Sequence, residues 1–115
     1  MKRERKNKYH NTITVIDGIS FASRREAERY LDLKTLEKAS VISELELQKK
    51  FELQPSFMYK GRRQRPINYI CDFYYKQDGK YIIEDVKSPI TINNPTYKLK
   101  KKMMLYRGYE IKEVL

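Results

Sequence analysis

The chain has 115 residues, enough for one domain with a single modest core. Its 25 Lys and Arg against 15 Asp and Glu give a net charge of +10 and a pI of about 9.7, an imbalance that points to a polyanion such as DNA or RNA. No apolar run approaches the roughly 20 residues of a membrane span, the N-terminus lacks the apolar core of a signal peptide, and one Cys with one His excludes an intrachain disulfide, a multi-cysteine zinc site and a His-based triad.

Residues 1–11 (MKRERKNKYHN) are too polar to pack and read as a flexible basic arm. Thr12–Ile16 alternates and is β-branched, and Asp17-Gly18 turns it into Ile19-Ser20-Phe21, a small hairpin. Ser23-Arg-Arg-Glu26 has the form of a capping box and opens a helix over 24–38, with Ala27, Tyr30, Leu31, Leu33 and Leu36 at helical spacing. Leu45, Leu47, Phe51 and Leu53 share one parity, interrupted at Lys49, and predict one strand running towards Pro55. Residues 57–59 and 67–75 form the next strands, separated by a basic turn over 60–66. A strand over 81–87 follows, then a loop with Pro89. Asn94-Pro95 starts a basic helix that runs to about Arg107 and ends at Gly108, before a short terminal strand over 109–114. A strand reached after that helix is most simply a parallel neighbour by a right-handed crossover, so a mixed sheet flanked by helices is expected in a single domain over 12–115.

Chemistry concentrates between Asn68 and Ser88. Two aromatic and β-branched runs flank Asp78-Gly79, which supplies the positive φ of a two-residue hairpin loop. If Gln77 pairs with Lys80, Asp72 lies across from Asp85, and Lys87 follows on the same face. Opposed carboxylates would have Cα atoms roughly 4.5–5.5 Å apart and repel by on the order of 3 kcal/mol at an effective dielectric of about 20. Something should offset that repulsion, most simply a divalent cation. A loop one residue longer or shorter would instead place the two on opposite faces. Cys71 alternates with Tyr69 and Phe73 as a packing residue.

The element order and the spaced acid-acid-x-Lys residues resemble the PD-(D/E)XK nuclease superfamily, whose members include restriction enzymes and Holliday-junction resolvases. Asp17-Gly-Ile-Ser-Phe21, Ser23-Arg-Arg-Glu-Ala27, Glu46-Leu-Gln48, Phe51-Glu-Leu-Gln-Pro55, Tyr69-Ile-Cys-Asp-Phe73 and Glu84-Asp-Val-Lys87 are similar, over nearly the whole chain, to a phage-encoded, resolvase-like family, domain of unknown function 1064. The resemblance implies a restriction-endonuclease-like αβββαβ core behind a small N-terminal hairpin. It implies Asp72 and Asp85 as metal-binding acids, Lys87 as the catalytic lysine, and Glu26 as a further acid from the first helix. Cys71 stands where the motif's proline would be, and Glu84 faces away from the site in this register. Glu26 has a rival role as the capping-box carboxylate.

These expectations combine into a Mg²⁺-dependent DNA endonuclease, with Mn²⁺ able to substitute, acting on branched DNA such as Holliday junctions. It would be a homodimer, without a membrane partner, in the cytoplasm of a phage-infected or prophage-carrying bacterium. Arg62, Arg63, Arg65, Lys98, Lys100, Lys101 and Lys102 are the expected DNA contacts. Of the four lysines, Lys98 or Lys101 could turn towards the sheet. The alternatives are a non-catalytic phage DNA-binding accessory protein on the same fold, or an RNA-binding module that stacks bases on some of its ten tyrosines.

Overall fold

The computed structural model describes residues 3–6 and 12–115, with residues 3–6 and 12 described by backbone alone. It divides into two compact units, residues 1–43 and 44–115.

In the first unit, β1 (Arg3–Lys6), β2 (Thr12–Ile16) and β3 (Ile19–Phe21) form an antiparallel sheet in that order. The expected hairpin over 12–21 is present. Arg3–Lys6, assigned from sequence to a flexible arm, instead form β1, with Arg3 opposite Val15 and Lys6 opposite Thr12. An edge of β2 presents unpaired backbone groups that a polar strand can fill as well as an apolar one, which composition does not reveal. The rest of the expected arm lies outside the described residues. Helix α1 (Arg24–Lys38) has the expected bounds, and the Ser23 hydroxyl accepts the Glu26 N–H at 3.1 Å as its N-cap. Ala27, Tyr30 and Leu33 are buried, whereas Leu31 is exposed. The Tyr30 phenol donates to the Asp17 carboxylate at 2.9 Å, and its ring lies 5.1 Å from Phe21.

In the second unit the strand expected over 44–53 is two strands, β4 (Ser43–Leu47) and β5 (Lys50–Gln54). Gln48 takes a positive φ of 56° between them, so the chain leaves one sheet for another where Lys49 had interrupted the alternation. Residues 57–64 form a ribbon of β6 (Phe57–Tyr59) and β7 (Arg62–Gln64) turning at Lys60-Gly61, so the expected basic turn is half strand. The strand expected over 67–75 breaks at Cys71-Asp72 into β8 (Ile67–Ile70) and β9 (Phe73–Gln77). Strand β8 pairs antiparallel with β5, across a bulge between Glu52 and Gln54. Strand β10 (Lys80–Val86) follows, then a 3-10 turn (Thr91–Asn93), α2 (Pro95–Tyr106) and β11 (Ile111–Val114).

The main sheet runs β11-β10-β9-β4 and is mixed, because β10 pairs antiparallel with β9 and parallel with β11. The mixed α/β architecture expected from sequence therefore holds. The β9–β10 hairpin keeps the expected register from Lys80 opposite Gln77 to Glu84 opposite Phe73. Asp78 and Gly79 both have positive φ, 51° and 76°, as its two-residue loop requires. Helix α2 is capped by the Asn94 carboxamide, which accepts the Tyr97 N–H at 3.0 Å, with Pro95 at the first helical position. At its other end Arg107 donates to the backbone carbonyls of Glu52 and Leu53. Leu53, Tyr69, Cys71, Ile83, Tyr97, Met104 and Ile111 form the core of this unit. No helix among the described residues is long and apolar enough to cross a membrane.

Candidate active site

The register of the β9–β10 hairpin, extended one step past Glu84–Phe73, sets Asp85 against Asp72, the residue just before β9. The backbone ladder stops there and side chains continue it. The Asp72 N–H donates to the Asp85 carboxylate at 3.3 Å, and the Val86 N–H donates to the Asp72 carboxylate at 2.8 Å. The Tyr69 phenol, from β8, donates to the second Asp85 oxygen at 2.5 Å. Lys87 brings its ammonium to 3.6 Å from that same oxygen. Asp85 is only 3% exposed, and its charge is matched by these donors rather than by water. The repulsion expected between the two acids is partly offset by these protein donors.

Lys87 is held on its other side by α2. Its ammonium sits 3.9 Å from the centroid of the Tyr97 ring. The Tyr97 phenol donates to Glu113 on β11 at 2.5 Å, and Lys101 donates to the other Glu113 oxygen at 2.9 Å. Glu113 stands opposite Asp85 in the parallel β10–β11 pair, which puts both on one face. Burial alone would raise the Glu113 pKa, but the Tyr97 and Lys101 hydrogen bonds and the Lys101 and Lys87 charges hold it below the usual carboxylate range. Burial, followed by the carboxylate partner, pushes the Tyr69 and Tyr97 phenols well above theirs, so both remain donors. Burial pushes the Cys71 thiol up to about 12, in keeping with its packing role.

A cleft of about 390 Å³ opens over this assembly, with Asn68, Tyr69, Asp85, Lys87, Asn94 and Lys100 in its lining. Asp72 adjoins it through Asp85. The Asn68 carboxamide oxygen is buried and without a hydrogen-bond partner, an orphaned hard acceptor in the cleft wall. The Asp85 carboxylate and the Asn68 oxygen in the cleft wall, with Asp72 adjoining, are hard oxygen donors of the kind Mg²⁺ takes, one or two carboxylates with the octahedron completed by water and phosphate oxygens. Among the described residues no three His, Cys, Asp or Glu side chains form a ready cage, so the fit is of this open kind.

Asp72, Asp85 and Lys87 are therefore brought together. Glu84 faces the other way, accepting from Tyr75 at 2.7 Å with Lys112 at 3.9 Å. Glu26 belongs to the first unit, where its N–H serves the α1 cap; the ligand role implied for it by resemblance stays an expectation. Of the four lysines, Lys101 turns to the sheet, Lys100 lines the cleft, and Lys98 and Lys102 are exposed. Arg62, Arg63 and Arg65 are exposed on and after the ribbon. Sequence reasoning missed Asn68, Tyr69, Tyr97 and Glu113. Glu113 falls on the Asp85 face of its strand, whereas Tyr69 has the parity of Cys71 and Phe73, the opposite face, and reaches Asp85 only because the chain breaks at Cys71-Asp72.

Residues 6–114 match the model of a family described as a protein of unknown function, DUF1064. No curated protein and no solved structure matches the chain.

Proposed function

Since the chain belongs to the DUF1064 family, whose description names no activity, we propose from the site itself that the protein is a Mg²⁺-dependent DNA endonuclease selective for branched DNA. The observation that carries this reading is the Asp85–Lys87 pair, a carboxylate and an ammonium 3.6 Å apart on one cleft, with the Asp72 carboxylate accepting the N–H of Val86 between them. Mg²⁺, for which Mn²⁺ should substitute, would be held by Asp72 and Asp85 with the Asn68 oxygen, and would supply a bound water of lowered pKa and neutralise charge on the scissile phosphate.

The chain's own groups do the rest. The Lys87 ammonium is fixed between Asp85 and the Tyr97 ring, where it can stabilise charge developing on a phosphate oxygen without having to reorganise. Tyr69 orients the Asp85 carboxylate, and Glu113 holds Tyr97 and Lys101 in place around it. Lys100 lines the cleft as a phosphate contact, and Lys98, Lys102, Arg62, Arg63 and Arg65 extend a basic surface for the DNA backbone. Paired nicks across a four-way junction call for two sites related by symmetry, and hence for a homodimer. The setting would be the cytoplasm of a phage-carrying bacterium.

A second reading, a non-catalytic DNA-binding protein on the same fold, is favoured by the donors that both carboxylates already have within the protein. One assay separates the two: labelled junction, flap, duplex and single-stranded DNA incubated with the protein in Mg²⁺ and in EDTA. The nuclease reading expects Mg²⁺-dependent cleavage of the junction or flap in preference to duplex. Tight binding without any cut returns the protein to the accessory role. Glu26→Gln in the same assay decides whether the first-helix carboxylate takes part.

A further inference from the structure

The β6–β7 ribbon carries more apolar surface than its exposure warrants. Phe57, Met58 and Tyr59 are 47%, 64% and 58% exposed, and among the described residues the two strands pair with each other alone. Single exposed apolar residues are ordinary, but three in succession on an isolated ribbon are not. The pairing sets Phe57 against Gln64, Met58 against Arg63 and Tyr59 against Arg62. Opposed residues share a face, so Phe57 and Tyr59 lie on one face with Arg62, while Met58 and Arg63 share the other. At the tip the Lys60 ammonium lies 5.4 Å from the Tyr59 ring centroid. From residue 53 to 71 the chain has four basic side chains, Lys60, Arg62, Arg63 and Arg65, and no acidic one.

Cations alone would suit any phosphate backbone, and an apolar strand alone would suit another protein. Two aromatic rings sharing a face with Arg62, with Lys60 at the tip and Arg63 on the reverse face, match a nucleic acid whose bases are unstacked, since each ring offers a stacking platform and each cation a phosphate contact. A paired duplex hides its base faces, so such a ribbon gains nothing from it beyond charge. We propose that the β6–β7 ribbon binds unpaired bases of DNA at a branch or single-stranded junction, with Phe57 and Tyr59 stacking on bases and Arg62 and Arg63 holding the flanking phosphates. The proposal deepens the endonuclease reading, on which it rests for DNA as the polymer, and gives it a physical source of branch selectivity.

The test is affinity of the full-length protein in Ca²⁺, which suppresses cleavage, for a forked DNA with unpaired arms, a fully paired duplex of equal length and a single-stranded RNA. Phe57→Ser/Tyr59→Ser is compared with Arg62→Ala/Arg63→Ala, with thermal melts confirming that both are folded. The aromatic double variant should lose roughly tenfold or more for the fork, as expected for one or two lost base stacks. It should stay within about twofold for the duplex and keep an unchanged salt slope. The arginine variant should weaken both DNAs alike and flatten the slope by about 1–2 units. Equal loss on fork and duplex, no loss on either, or tighter binding of RNA than of the fork overturns the proposal. The expected discrimination without any cleavage in Mg²⁺ supports the ribbon and sinks the nuclease. Cleavage with an aromatic variant that binds the fork normally does the reverse.

Discussion

Asp72 and Asp85 are joined by a crossed exchange between neighbouring strands. The Asp72 N–H donates to the Asp85 carboxylate at 3.3 Å, while the Asp72 carboxylate takes the N–H of Val86, the residue after Asp85, at 2.8 Å. Each acid thus completes the backbone of the strand beside it. The carboxylates are fixed where the sheet ladder ends, and an ion or a phosphate arriving there would meet groups already in position.

The exchange makes the two acids unequal under substitution. Asp72→Asn keeps a carbonyl oxygen for the Val86 N–H and should change stability by less than about 1 kcal/mol. Asp85→Asn leaves Lys87 without its carboxylate and turns the Tyr69 bond into a neutral one, and should cost about 1–3 kcal/mol. Urea unfolding checks this, and equal losses from the two would contradict the asymmetry. Both variants should lose cleavage.

Tyr97 should matter through its ring. Tyr97→Phe keeps a face beneath the Lys87 ammonium and gives up only the Glu113 bond, so cleavage should fall by no more than a few-fold. Tyr97→Leu removes the cation–π contact, worth about 0.5–2 kcal/mol, and should slow cleavage by about tenfold. Similar rates in the two variants would mean that the ring does not position Lys87.

Glu113 gives the fold an acid-side dependence. Its folded pKa lies below the ordinary carboxylate value. Its contribution to stability is therefore complete above the unfolded pKa and is lost as pH falls through the folded one. Wild type should be more stable than Glu113→Gln at pH 7, and the gap should close as pH drops below about 4.3, the ordinary glutamate value. Thermal melts from pH 7 to pH 3 measure it, and a gap that widens in acid would reverse the sign.

Cys71 is fully buried, with its thiol pushed up to about 12. Native protein at pH 8 should resist iodoacetamide for as long as it stays folded, and unfolded protein should react promptly. Fast alkylation of the native chain would show that the β8–β9 break opens readily.

Much of this arrangement was legible in the sequence. Asp78-Gly79 favours a two-residue loop, and that loop, once formed, fixes the register bringing Asp72 to Asp85 and sending Glu84 to the opposite face. Ser23 and Asn94 marked both helix starts, because their side chains accept N–H groups that a helix leaves unpaired. The breaks at Gln48 and at Cys71-Asp72 were not legible. Alternation continues through Cys71-Asp72 and resumes in the same parity after the interruption at Lys49, so only the partner strand shows that the chain has changed sheets. The role of Tyr97 depends on how α2 crosses β10, a tertiary relation that no local pattern encodes. Of the protein donors around the Asp pair, Lys87 was legible from its parity, whereas Tyr69 and two backbone N–H groups were not, because they depend on the β8–β9 break.

DNA hydrolysis in the cleft of Asp85 and Lys87 is the activity we propose. Its most direct test is the initial rate of cleavage of a labelled four-way junction in saturating Mg²⁺ by wild type and Lys87→Ala, with junction affinity measured in Ca²⁺. Wild type should cleave, the variant should be slower by at least about a hundredfold, as for loss of one preorganised transition-state contact, and the two affinities should agree within a few-fold. A junction left uncut by folded wild type, or cut equally fast without the lysine, would contradict it.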